Sequence, residues 1–152
     1  MRALNEILTP GRTACNVQGI SKKRLFETIA GIVSDDYPGL PQHEVLDQLN
    51  ARERLGSTGM GEGIAIPHCR VANCASPIGA LLTLEEAIDY DAPDERPVDL
   101  LFVLLVPEEA HQEHLDILAE VARLFSQHDF CKRLRGTTDD RTLYDLACAG
   151  DG

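Results

Sequence analysis

Val98-Asp99-Leu100-Leu101-Phe102-Val103-Leu104-Leu105-Val106 is apolar at every position except Asp99, and this run decides the fold. An amphipathic helix would show polar residues with a period near 3.6, and a half-exposed strand would alternate. A strand covered on both faces instead reads as continuous apolar sequence. The run is far shorter than the roughly 20 apolar residues that a membrane helix needs. Pro107 ends it, because proline has no amide to give to a sheet. The segment is therefore predicted to be a central strand with a layer on each side, which places the chain in the α/β class.

Outward from that strand, helical and strand-like patterns alternate. A helix is predicted from about Glu108 to Phe125, with Leu115, Leu118, Ala122 and Phe125 on its apolar stripe. Two short helices follow, Asp129 to Arg135 and Thr138 to Ala147, the second with Thr138 as its cap. On the other side, Ile78 to Leu84 reads as a strand, and Ala87 to Tyr90 pairs back across Asp91-Ala92-Pro93-Asp94. Thr13 to Val17 is a first strand. Ser21 caps a helix whose inner face carries Leu25, Phe26, Ile29 and Val33. A second helix starts near Pro41, turns Val45, Leu46 and Leu49 inward, and stops before Gly56. These patterns predict one α/β domain over residues 1–152, with about five strands and helices on both faces.

Composition excludes several function classes. Between Glu85 and Glu120 twelve acidic residues face one base, Arg96, so this stretch holds the whole net charge of −11, and the rest balances at thirteen against thirteen. A duplex nucleic acid needs a basic footprint, and only short clusters such as Lys22-Lys23-Arg24 offer one. Nucleic acid binding is not expected. The opening residues MRALNEILTP lack a signal-peptide layout, and no run is long enough to insert in a membrane, so a cytoplasmic location is predicted. The five cysteines, odd in number and without a C-x-x-C pair, read as reduced thiols.

The chemistry concentrates in Arg52-Glu53-Arg54-Leu55-Gly56-Ser57-Thr58-Gly59-Met60-Gly61-Glu62-Gly63-Ile64-Ala65-Ile66-Pro67-His68. The glycines imply positive φ angles or close approach by another group. The amides of Gly59 and Gly61, with the Ser57 and Thr58 hydroxyls, form a predicted donor array for an anion; a structural corner is the competing reading. No Gly-Lys-Ser/Thr follows, which excludes a Walker loop, and the order G-x-G-x-G before a strand excludes a dinucleotide fingerprint. His68 is predicted at the carboxyl end of the short strand Ile64-Ala65-Ile66, where α/β sheets gather their sites. A neutral imidazole there can accept a phosphoryl group on one nitrogen while the other is held by a hydrogen bond. Phosphoryl transfer asks mainly for in-line positioning and donors or cations on the oxygens, which Arg52 and the loop can supply. His111 and His114 both border the stripe of the long helix near its start, and periodicity does not choose between them.

The segment Arg52 to His68 resembles the active-site segment of bacterial phosphotransferase-system enzyme IIA domains of the mannitol/fructose type, and most of all their nitrogen-related branch. Phe130-Cys131-Lys132-Arg133-Leu134-Arg135 with Leu143-Tyr144 supports that branch, and the likeness covers almost the whole chain. The resemblance implies a mixed β-sheet flanked by helices. It implies that His68 is the phosphorylated histidine, that His114 rather than His111 is the second active-site histidine, and that Arg52 lies near the phosphate. It also implies an HPr-like phosphoryl donor protein and regulatory targets among potassium transport or sensor-kinase components, with no cofactor. Two alternatives stay open: a sugar-specific IIA passing phosphate to a IIB domain, and, from another class, a metal site built from His68, Cys69, His111 and His114. The latter lacks the thiolate and carboxylate spacing of zinc sites. Oxidation of Cys69 is a weaker route to regulation.

Overall fold

The computed structural model describes residues 4–18, 21–109 and 112–150. Its sheet is mixed and holds six strands: β1 (Thr13–Val17), β2 (Gly59–Gly61), β3 (Ile64–Ala65), β4 (His68–Val71), β5 (Ile78–Ile88) and β6 (Val98–Pro107). The strand order is β1-β5-β6-β3-β2, and β4 pairs with β6 as well. β5 runs antiparallel to β6, while β1 lies parallel to β5, and β3 and β4 lie parallel to β6. The helices are α1 (Lys22–Asp36), α2 (Gln42–Arg54), α3 (Gln112–Phe125), α4 (His128–Arg135) and α5 (Asp140–Ala149).

β6 is the central strand that its apolar run predicts, and successive side chains split between two cores. Leu101, Val103 and Leu105 pack with Leu25, Phe26, Ile29, Val33, Val45 and Leu49 of α1 and α2. Leu100, Phe102, Leu104 and Val106 pack with Ile117, Val121, Phe125, Phe130 and Leu143 of α3, α4 and α5. The helices therefore cover both faces. Arg12, 6% exposed, ties the amino-terminal segment down: it donates to the Gly79 carbonyl at 2.9 Å and the Ile7 carbonyl at 2.8 Å, and pairs with Asp36 at 2.6 Å.

Several expectations are corrected. The expected sheet of about five strands is one of six, because Gly59–Gly61 and, after Pro67, His68–Val71 each pair as strands while Ala87 to Ile88 joins β5. His68 consequently opens a strand, opposite Leu104, instead of ending one. Ala87 to Ile88 continues β5 rather than forming a separate strand, and Ile88 pairs with Val98. α3 is described over Gln112–Phe125, Glu108 and Glu109 lie in a turn, and the buried stripe of the helix is Ile117, Val121, Leu124 and Phe125. Leu115 faces outward, 58% exposed. Asp139, not Thr138, caps α5, its carboxylate accepting from the Thr142 amide at 2.9 Å. His111 lies outside the described residues.

The glycine-rich segment is a tight antiparallel hairpin, with Gly59 opposite Ala65 and Gly61 opposite Ile64. A Cβ on Gly59 would sit 2.7 Å from the Ala92 Cβ. Gly63 has φ +82°, and a Cβ there would lie 2.8 Å from Arg135 Nη2. Gly63→Ala is expected to cost about 1–3 kcal/mol through this left-handed backbone. Urea denaturation measures it, and a cost below about 0.5 kcal/mol would show that the backbone relaxes freely.

Candidate active site

α2 and β4 place one row of side chains each along an open cleft of about 340 Å³. From α2 and its C-cap come Gln48, Ala51, Arg52 and Leu55, whose spacing puts them on one helical face. From β4 come His68, Cys69 and Arg70, and His114 joins them from the first turn of α3. The rings of His68 and His114 lie 5.8 Å apart between centroids, tilted by 48°. Thus His68, His114 and Arg52, nominated by the sequence, converge on one cleft.

The glycine hairpin does not reach that cleft. The Thr58 amide donates to Glu53 at 2.7 Å, and the Thr58 hydroxyl donates to the same carboxylate. The Gly59 amide is taken by Ser57 Oγ at 3.1 Å. Gly61 faces Asp94, which also accepts from the Glu62 amide at 2.8 Å. The Thr58 and Gly59 amides are thus spent within the fold, and Ser57, Thr58, Gly59 and Gly61 are absent from the cleft lining.

His68 is half-buried, and its Nδ1 lies 2.6 Å from the Ile66 carbonyl oxygen. A carbonyl only accepts, so Nδ1 carries the proton and the free lone pair sits on Nε2. Burial, joined by the Arg52 guanidinium, holds the His68 pKa below its ordinary 6.5, against opposing pulls from the Ile66 carbonyl and Glu53. Burial likewise lowers the His114 pKa, with further contributions from His68 and Arg70. Among the described residues, His114 Nδ1 is buried with no hydrogen-bond partner. Arg52 Nη1 donates to the Gly56 carbonyl at 2.9 Å, which fixes its guanidinium at the end of α2.

These shifts set the direction of pH dependence. An unfolded chain takes up protons on both imidazoles near pH 6.5, whereas the folded protein resists until lower pH. Stability is therefore fully present above about pH 6.5 and is lost as pH falls through the lowered folded values. The Nε2 lone pair of His68 survives to the same limit. The acid limb of any reaction using it is expected below pH 6.5, as a rate profile would reveal; a midpoint at or above 6.5 would contradict the burial argument.

The cleft holds residues that sequence reasoning passed over. Arg70 lies two residues beyond His68 on a strand, hence on the same side, and Gln48 and Leu55 lie one turn either side of Arg52. Those periodicities were the available signal. Cys69 is buried, and burial pushes its thiol up to about 12, so it carries no thiolate at neutral pH. Among the described residues no group of three or more His, Cys, Asp or Glu side chains is placed to hold a metal.

Comparison with known proteins places the chain in a family. Residues 6–147 match the family described as phosphoenolpyruvate-dependent sugar phosphotransferase system, EIIA 2, and the chain belongs to that family. It is 50% identical over 146 residues to the nitrogen regulatory protein of Pseudomonas aeruginosa, covering 96% of this chain and 95% of that one. It is 38% identical over 150 residues to the nitrogen regulatory protein of Escherichia coli, covering 98% and 89%. The crystal structure of nitrogen regulatory protein IIA-Ntr from Neisseria meningitidis superposes with a TM-score of 0.87 at 38% identity, over 95% of this chain and 98% of that one. Mannitol IIA from Escherichia coli shares the fold alone, with a TM-score of 0.72 at 15% identity over 90% and 96%.

Proposed function

We propose that this chain is a phosphocarrier of the nitrogen-regulatory type, taking a phosphoryl group on His68 Nε2 from an HPr-like protein and regulating partners by its phosphorylation state. The observation that carries the reading is the 2.6 Å contact between Nδ1 and the Ile66 carbonyl, which leaves Nε2 free and aimed away from that bond. The lone pair of Nε2 forms the new N–P bond as the N–P bond to the donor's imidazole breaks, and the donor nitrogen keeps the electron pair. Nδ1 retains its proton throughout. Arg52 supplies positive charge to the phosphoryl oxygens, and His114, 5.8 Å away between ring centroids, supplies a second neutral imidazole.

Leu55, 84% exposed at the cleft, gives an arriving protein an apolar contact beside these charges. Among the described residues no helix is long and apolar enough to cross a membrane. Our reading has residues 1–152 act as one IIA domain in the cytoplasm, where its free thiols stay reduced. The nitrogen-regulatory relatives' name points to targets in nitrogen regulation, and the family resemblance adds potassium transport or sensor-kinase components.

Reconstituted transfer from a phosphorylated HPr-like donor, followed by mapping of the acid-labile modification, tests the assignment. His68 is the expected site, and modification elsewhere would overturn it. His114→Ala is expected to keep acceptance but slow it by about tenfold, the loss of one neutral hydrogen bond of about 1.5 kcal/mol. An unchanged rate would remove His114 from the machinery.

A further inference from the structure

The Thr58 and Glu53 side chains belong to no part of the cleft lining, yet they are connected to His68 by an unbroken series of hydrogen bonds. Glu53 is 8% exposed at its side chain and Thr58 is 7% exposed. The carboxylate of Glu53 receives both the amide and the hydroxyl of Thr58, the amide at 2.7 Å. The Thr58 carbonyl in turn accepts from the Ile66 amide at 3.1 Å, and the Ile66 carbonyl accepts from His68 Nδ1 at 2.6 Å. Two further contacts pin the far end. Lys22 Nζ lies 3.3 Å from Glu53, and the fully buried Tyr90 hydroxyl lies 2.9 Å from Thr58 Oγ1.

We propose that Glu53 and Thr58 are positioning residues for phosphoryl acceptance, which together hold the Ile66 carbonyl against Nδ1 and so keep the lone pair of His68 on Nε2. The inference rests on His68 being the acceptor. Its physical content is tautomeric. An imidazole whose Nδ1–H has a fixed acceptor is held in the Nδ1–H form, whereas one without a partner divides its proton between the two nitrogens. The Nε2–H form has no lone pair at the attacking atom. Residues 59–65 form the hairpin between Thr58 and Ile66, so the clamp at Thr58 sets where the Ile66 carbonyl points. The Thr58 hydroxyl thereby has a role away from the phosphate, and the charge of Glu53 strengthens both bonds it accepts.

The test uses the full chain with Thr58→Val, Glu53→Gln and Thr58→Ser, reading the His68 tautomer from ¹⁵N ring shifts and the rate of acceptance from a phosphorylated HPr-like donor. Thr58→Val removes the hydroxyl at nearly constant volume, and Glu53→Gln removes the charge. In each, the Nε2–H form of His68 should appear, and acceptance should fall by about 10- to 100-fold, as for other groups that orient a functional histidine. Thr58→Ser, which keeps the hydroxyl, should stay within about twofold of the parent in both readouts. If Thr58→Val fails to fold, Glu53→Gln decides. A folded Glu53→Gln or Thr58→Val protein with the parent tautomer, or with the parent rate, overturns the proposal. The two readings fail separately: a parent protein that takes up no phosphoryl group, in which the tautomer still responds to these variants, would refute the carrier role and leave only the control of the His68 tautomer standing.

Discussion

His68→Ala is expected to take up no phosphoryl group from the phosphorylated HPr-like donor, at any donor concentration. Apart from His114, which has a supporting role in the proposed function, nothing else in the cleft has a nucleophile to offer. The imidazole of His114 is buried at Nδ1, and the Cys69 thiol, raised to about 12, offers no nucleophile at neutral pH. Arg52 and Arg70, the charged groups of the cleft, have no lone pair to give. The variant should fold normally, because the half-buried ring contributes one exchangeable hydrogen bond, to Ile66, and no salt bridge. Circular dichroism of the variant and a gel or mass measurement of phosphate uptake read the two properties independently. A folded, fully phosphorylated His68→Ala protein would defeat the assignment of the acceptor.

The second large effect is expected at Arg52. Its guanidinium is anchored by the 2.9 Å bond to the Gly56 carbonyl and lines the same cleft as His68. Charge placed in advance at the transition state is worth more than charge that must be gathered, and loss of such a donor typically costs about 2.7–4 kcal/mol, or roughly 10²- to 10³-fold in rate. Arg52→Ala should slow acceptance by that amount. It should also move the acid limb upward toward pH 6.5, because Arg52 is one of the two influences that hold the His68 pKa down. Arg52→Lys, with a single point charge in place of the fork, should recover only part of the rate. If Arg52→Ala accepts phosphate at the parent rate with an unmoved pH profile, the guanidinium has no part in transfer.

The elements best read from the sequence were those whose signal is local. The continuous apolar run of β6 implied two flanking layers, and the split of Leu101, Val103 and Leu105 from Leu100, Phe102 and Leu104 delivers them. Ser21 was placed as a cap, and it accepts from the Arg24 amide at 3.2 Å. Glu108 and Glu109, which the apolar pattern assigns to the start of α3, lie in a turn, because Pro107 and the acidic residues after it suit a turn as well as a first helical turn. The phase of its apolar stripe was ambiguous, since Leu115 and Ile117 are equally apolar and only packing against the sheet selects Ile117.

The sequence by itself determined the α/β class, the central strand and the segment that ends in His68, because burial pattern, capping and glycine content are properties of neighbouring residues. The company that His68 keeps was decided by tertiary structure alone. Arg70 and Gln48 entered the cleft through the pairing of β4 with β6 and the packing of α2 against it, and the approach of His114 depends on where α3 returns to the sheet. The glycine hairpin shows the same division. Its donors were legible as a phosphate cradle, but the Thr58 hydroxyl goes to Glu53, the Gly59 amide to Ser57 and the neighbouring Glu62 amide to Asp94. A hydrogen-bond donor can be seen in a sequence, whereas the acceptor that satisfies it is chosen by the distance between atoms far apart in the chain.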